Sequence, residues 1–286
     1  MSGIGQPQIE ACSRLIESGE INGTKIHVEN LAILYYNRGI GYRDNQDYGR
    51  AISDFSDAIR LNPKYVNAYI NRASAYQRAG ALDNAISDCN AAISIEPDNS
   101  QAQFRRGSVY MDLGEEDLAY ADFSEAIRLD SGKASAYFNR AIISENYGDT
   151  TLAITDYTAA IESDPDYTSA YRNRGLLYLQ LGELDHAISD FDRTIELSPN
   201  YPMAYRNRGA AHIRKAEFEQ ALADYTSAVQ LDPANPTAFL DRGWVRERLG
   251  ISKAALDDYR KALSMDPTLD YAKQQIKVLE AESSSQ

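Results

Sequence analysis

The sequence predicts an all-α solenoid, a stack of helix pairs whose core is assembled layer by layer. Three observations predict it. Asn-Arg-Gly or a close variant returns every 34 residues, as Asn37-Arg38-Gly39, Asn71-Arg72-Ala73, Arg105-Arg106-Gly107, Asn139-Arg140-Ala141, Asn173-Arg174-Gly175, Asn207-Arg208-Gly209 and Asp241-Arg242-Gly243. Small residues hold two fixed places in each period, and glycine and proline punctuate two others. Strict self-similarity of this kind marks a repeat architecture, in which each unit buries its apolar face only against its neighbours. Seven repeats run without insertion over 32–65, 66–99, 100–133, 134–167, 168–201, 202–235 and 236–269, leaving residues 1–31 before them and 270–286 after.

Taken in chain order, residues 8–16 (QIEACSRLI) imitate the second helix of a repeat, with Cys12 where later repeats place an aromatic ring. The surplus residues up to the first repeat fall in the loop 17–30, with room to lengthen the helix that follows. Each repeat then reads as two helices. Its eighth position is small (Gly39, Ala73, Gly107, Ala141, Gly175, Gly209, Gly243), and its twentieth is always alanine, from Ala51 to Ala255. Such residues let two helix backbones approach closely. The twenty-fourth carries the bulk beside them: Phe55, Cys89, Phe123, Tyr157, Phe191, Tyr225 and Tyr259. From position 20, apolar residues follow at 21, 24, 27 and 28, the spacing of an amphipathic helix. Gly80, Gly114, Gly148, Gly182 and Gly250 separate the two helices, where a left-handed residue ends the first. Proline closes six repeats and stops the second helix, while Pro202 and Pro236 open the next helix at its first position, where a missing N–H costs nothing. A last helix is expected over 270–281, followed by a disordered tail, Ser283-Ser284-Ser285-Gln286.

This register resembles that of the tetratricopeptide repeat (TPR) family, in a bacterial style, over 238 of 286 residues. Tyr35, Tyr69, Tyr137, Tyr171 and Tyr205 match its first aromatic position and Tyr42, Tyr76, Tyr110 and Tyr178 its second. The resemblance implies a right-handed superhelix of paired antiparallel helices and a non-enzymatic scaffold or adaptor for other proteins, and the regular spacing favours an uninterrupted groove rather than two separable domains. It also accounts for the twenty tyrosines, against one tryptophan and seven phenylalanines, as inter-helix packing with a polar tip.

Two charges recur in every repeat. Arginine takes the seventh position, from Arg38 to Arg242, and aspartate the twenty-third, from Asp54 to Asp258. They are expected to meet across the helix pair, within a repeat or between neighbours, as a structural ladder.

In the family, positions 2, 5, 6, 9, 12 and 13 of the first helix line the concave groove. Position 6 here gives Asn37, Asn71, Asn139, Asn173 and Asn207, broken by Arg105 and Asp241. An amide donates and accepts at once, so spaced asparagines suit the backbone of an extended peptide. The groove positions hold seven arginines against five acids, although the whole chain carries −13. Repeats 5 and 6 contribute Arg172, Arg206 and Arg214 with no opposing acid. Guanidinium binds carboxylate bidentately, so the expected ligand is an extended, acidic segment of a protein. The expected peptide-binding residues are Asn37, Asn71, Arg105, Asn139, Arg172, Asn173, Arg206, Asn207 and Arg214. The family's two-carboxylate clamp for chaperone tails is not supplied: Arg172 and Asn207 give two pieces, but Leu176, Thr237 and Asp241 occupy the other places.

The remaining composition narrows the function. Net acidity argues against a nucleic-acid partner, which needs a basic surface. The longest apolar run is six residues, Leu31 to Tyr36, too short for a membrane span. No zinc-protease, phosphate-loop or dinucleotide motif occurs, and three histidines and two cysteines are too scattered for a metal site, so no cofactor is expected. His212 replaces a packing tyrosine, and Cys12 and Cys89 sit in layers too far apart for a disulfide. Asn22-Gly23-Thr24 is a glycosylation sequon that matters only in a secreted chain. The expected compartment is the cytoplasm, or the periplasm or exterior if a leading export segment has been removed. The structural alternative is self-assembly into homo-oligomers through end helices or groove docking.

Overall fold

A computed structural model describes residues 5–284. It is helical apart from one small hairpin, and it divides into two compact units, residues 1–146 and 147–286. The N-terminal unit holds α1 (Gln6–Ser18), β1 (Glu20–Ile21), β2 (Thr24–Lys25), α2 (Val28–Asp44), α3 (Tyr48–Leu61), α4 (Val66–Arg78), α5 (Leu82–Ile95), α6 (Ser100–Leu113), α7 (Glu116–Leu129) and α8 (Ala134–Asn146). The C-terminal unit holds α9 (Thr150–Ser163), α10 (Thr168–Leu181), α11 (Leu184–Leu197), α12 (Pro202–Arg214), α13 (Phe218–Leu231), α14 (Pro236–Arg248), α15 (Ser252–Met265) and α16 (Asp270–Ser284).

The expected loop 17–30 contains the hairpin. Asn22 and Gly23 take positive φ angles of 52° and 76° and close a two-residue turn, a conformation that Asn-Gly favours. The surplus residues also lengthen α2 to 17 residues, against 13 or 14 for the first helices of later repeats. At the other end α16 continues to Ser284, so Ser283 and Ser284 extend a helix where disorder was expected. Ser285 and Gln286 lie outside the described residues.

Small residues do what their spacing predicts. Ala51, Ala85, Ala119, Ala153, Ala187, Ala221 and Ala255 are fully buried. A methyl group at Gly39, Gly175 or Gly243 would stand only 2.8–2.9 Å from the ring of Phe55, Phe191 or Tyr259. Repeat 2 balances the same space differently, with Ala73 packed in one cluster with the smaller Cys89. The turn between the helices takes a left-handed residue in every repeat, with φ of 75–84° at the five glycines but also 61° at Gln46 and 60° at Ala216.

The arginine–aspartate ladder forms within repeats. In the six repeats that lie wholly inside one unit, Arg38, Arg72, Arg106, Arg174, Arg208 and Arg242 each grip the aspartate sixteen residues on through Nε and Nη2, the shorter bond being 2.6–2.7 Å. The aspartates are almost fully buried. Five ladder guanidiniums also reach back with Nη1: to Ser56 from Arg72, Asn90 from Arg106, Ser124 from Arg140, Thr158 from Arg174 and Asp192 from Arg208, at 2.6–3.1 Å. One side chain thus ties its own helix pair together and binds it to the preceding repeat. Tyrosines flank the same cations. Arg38, Arg72 and Arg174 each lie 5.4–5.9 Å from the rings of Tyr35 and Tyr42, Tyr69 and Tyr76, or Tyr171 and Tyr178. Much of the tyrosine excess therefore walls in a buried charge.

Candidate functional site

First helices of neighbouring repeats touch directly, α2 with α4 and α4 with α6 in the N-terminal unit, and α10 with α12 in the C-terminal unit. Their positions 5, 6, 12 and 13 consequently share one face in each unit. Side chains on that face bond from repeat to repeat.

In the N-terminal unit, Asn71 is already occupied. Its amide donates to the Tyr36 hydroxyl at 3.0 Å and to the Asn67 carbonyl at 2.8 Å, and its oxygen accepts from Arg43 Nη1. Among the described residues, the side-chain amides of Asn37 and Asn139 have no hydrogen-bond partner. Arg105 is different again. Its Nη1 donates to Gln77 Oε1 at 3.3 Å, while its Nε is buried without any acceptor. Asp44 on this face pairs with Arg43 at 2.8 Å, and Asp112 accepts from Gln77 at 2.6 Å. Near the start of the face, Val28, Ala32, Ile33, Leu61, Pro63 and Tyr65 line an open recess of about 470 Å³.

In the C-terminal unit, Asn173 donates to the Tyr157 hydroxyl at 3.0 Å and accepts from Arg172. The Asn207 amide has no partner among the described residues. Arg172 meets only neutral acceptors, Asn173 Oδ1 and the Tyr201 hydroxyl at 3.3 Å. It borders a recess of about 260 Å³ whose other walls are Thr168, Ser169, Ser198 and Tyr201. Arg214 is exposed and donates to the Leu179 carbonyl near the end of α10. Arg206 does have an opposing acid, which corrects the sequence reading: Asp241, from the following repeat, accepts from Nε and Nη2 at 2.9 and 2.7 Å. Counting acids only within repeats 5 and 6 hid a partner 35 residues on. Asp241 is thereby neutralised, although burial still pushes its carboxyl above the usual range against the pull of Arg206.

Of the nine residues read from the sequence, Arg206 is therefore engaged in an internal ion pair, and Asn71 and Asn173 are spent on internal hydrogen bonds. Of the tyrosine hydroxyls that hold these two amides, Tyr36 comes from groove position 5 and Tyr157 from packing position 24. Arg78 was missing from that set. It projects from α4, is exposed, and meets no carboxylate among the described residues. Leu176 and Met203 add exposed apolar surface to the face in the C-terminal unit.

Nothing here assembles into a reactive constellation. His212 is half-buried, with Nδ1 2.7 Å from Glu217 and Nε2 3.9 Å from Asp224, as a polar bridge in the place of a tyrosine. His186 pairs with Glu183 on the surface, and His27 precedes α2. Among the described residues no three His, Cys, Asp or Glu side chains gather as a metal site, and no helix is long and apolar enough to cross a membrane. Cys12 and Cys89 are both free and buried. Burial pushes the Cys89 thiol up to about 12, against the nearby Arg105 charge.

Comparison with known proteins agrees with this architecture. The family model of the ETO1 C-terminal domain matches residues 98–282, and a tetratricopeptide repeat model matches residues 36–100. No curated protein matches the sequence. Among solved structures, the C-terminal part of a TPR repeat-containing protein from Cytophaga hutchinsonii superposes with a TM-score of 0.68 at 20% identity, covering 84% of this chain and 99% of that one. The MamA protein is 26% identical, with a TM-score of 0.54 over 59% of this chain and 92% of that one. YrrB, described as a TPR protein with an unusual peptide-binding site, is 24% identical, with a TM-score of 0.54 over 63% and 92%.

Proposed function

The chain belongs to the tetratricopeptide repeat proteins, in the family of the ETO1 C-terminal domain, and on that premise we propose that it is a non-catalytic scaffold whose first-helix faces hold an extended, acidic segment of a partner protein. The observation that carries this reading is a set of cations without counter-charges. Arg78, Arg105, Arg172 and Arg214 lie on these faces and none meets a carboxylate among the described residues. Most other arginines in this fold show what such a group ordinarily does. Six ladder arginines each grip an aspartate, and Arg206 grips Asp241. A guanidinium kept unneutralised in a chain of net charge −13 is complementary to an acidic ligand, and long-range attraction of this kind steers association.

The unpartnered amides of Asn37, Asn139 and Asn207 supply donors and acceptors for the backbone of an extended segment. Leu176 and Met203 offer it apolar contact. Glutamate-rich peptides titrated against wild-type protein and an Arg172→Ala/Arg214→Ala variant test the reading. Arg206 stays in place, because its removal would strand Asp241. Weaker binding to the variant, and weakening by added salt, is the expected result. Equal, salt-independent affinities would reject it.

A further inference from the structure

Within this proposed peptide-binding face, the N-terminal unit singles out one position. Five repeats place asparagine at position 6, and repeat 3 places Arg105. The substitution has a cost in the free protein that nothing in the described residues offsets. The Arg105 Nε–H is buried without an acceptor, and a single 3.3 Å bond to Gln77 serves the rest of the guanidinium. Leaving a charged donor unmet in a desolvated place is among the more expensive polar arrangements a protein can hold.

Its surroundings increase that cost. Burial lowers the Arg105 pKa from its ordinary value; the Cys89 thiol opposes the shift, while Arg43 and Arg78 add to it as like charges. Lys133 approaches from the end of repeat 3, with Nζ 5.4 Å from the Phe104 ring and a 2.8 Å bond to Gln101. Two acids on the same helix faces are engaged elsewhere, Asp44 by Arg43 and Asp112 by Gln77.

We infer that Arg105, flanked by Arg78 and Arg43, forms an oxyanion subsite in the N-terminal unit, which takes one carboxylate or phosphoryl group of the bound segment. This deepens the acidic-segment reading and rests on it for its biological ligand, but the subsite can be tested without a partner. The guanidinium donates to the anion, Gln77 orients it from behind, and Arg78, which meets no carboxylate among the described residues, adds to the field. Asparagine at this position would hold the fold equally well, as it does in five other repeats, so the variant Arg105→Asn removes the subsite without threatening the architecture.

The direct test follows the arginine Nε–H signals by NMR while sodium phosphate, and separately sodium acetate, is titrated against sodium chloride at matched ionic strength. The expected result is a saturable shift of the Arg105 signal with phosphate or acetate, with the aspartate-paired ladder arginines unmoved at the same concentrations. A response to phosphate alone assigns a phosphorylated side chain, and a response to both assigns Asp or Glu. No shift beyond that with chloride would overturn the subsite. For the full ligand, a glutamate-rich or phosphorylated peptide should bind Arg105→Asn about tenfold more weakly than wild type, the scale of one charge-assisted contact. Equal peptide affinity for both proteins would overturn the subsite and leave the wider face intact. Anion uptake without any peptide binding would support the subsite and reject the acidic-segment reading.

Discussion

Arg105 in the N-terminal unit and Asp241 in the C-terminal unit interrupt the same row of asparagines, at the same position of their repeats, with opposite consequences. Asp241 is met by Arg206 from the repeat before it, through two bonds at 2.9 and 2.7 Å. Arg105 has a neutral glutamine at 3.3 Å and a buried Nε without an acceptor. A charge introduced into a groove is structural when the chain itself supplies the counter-charge, and becomes a candidate for recognition when it does not. Residue type and position alone do not separate the two cases; the partner does.

Mutations can break this contrast. The largest effect belongs to the ladder, where compensation is deepest: Arg174 and Asp190 are only 15% and 6% exposed. Arg174→Leu should cost ~3–5 kcal/mol in denaturant titrations by stranding Asp190, and adding Asp190→Leu should recover most of the loss. Additive losses would mean that the two charges act separately. Arg206→Leu should cost less, about 2 kcal/mol at neutral pH, because Asp241 is 30% exposed and water screens it. That loss depends on pH with a definite sign. A carboxyl raised above its unfolded value gains protons more readily when folded, so stability is retained at low pH and lost as pH rises through the carboxylate range. Arg206→Leu should therefore be nearer to wild type at pH 4 than at pH 7. The reverse order would place the stress elsewhere.

Arg105→Asn carries the opposite sign. Removing a partly buried cation that lacks a counter-charge should raise stability by about 1 kcal/mol, seen as a higher unfolding midpoint. A destabilised variant would show that Arg105 is compensated in the free protein after all. Cys89 sharpens the same point from below. With its thiol pushed up to about 12, it should resist a thiol reagent at pH 8 until the chain is unfolded, in wild type and in Arg105→Asn alike; rapid native labelling would reveal that this layer opens. The smallest effect lies outside the groove, at Ala216. Its φ of 60° is costly for a residue with a Cβ, so Ala216→Gly should stabilise by about 0.5 kcal/mol after the entropy of glycine is set against it.

The repeat register was legible because each of its rules is local or strictly periodic. Ala51 and its six equivalents, the small eighth residue and the glycine turns announce close helix crossings without any need of coordinates. The ladder was legible as a pairing for the same reason, since arginine and aspartate recur at fixed positions. Its backward arm to Ser56, Asn90 or Asp192 was not, because the accepting residue changes from repeat to repeat. The groove was harder still. Asn71 and Asn173 look identical to Asn139 in sequence, yet tyrosine hydroxyls and arginines consume them. Whether Gln77 meets Arg105 or Arg206 meets Asp241 depends on which side chains neighbouring first helices bring into reach, and the period does not encode that. The left-handed backbone at Gln46 and Ala216 was hidden because neither residue signals it as glycine does.

A glutamate-rich peptide and a lysine-rich peptide of equal length can be titrated calorimetrically into wild type, Arg105→Asn and Arg172→Ala, at low and at physiological salt. Only the glutamate-rich peptide should bind; salt should weaken it, and each substitution should weaken it further. Equal binding of both peptides, or an affinity indifferent to salt and to both arginines, would contradict the acidic-segment reading.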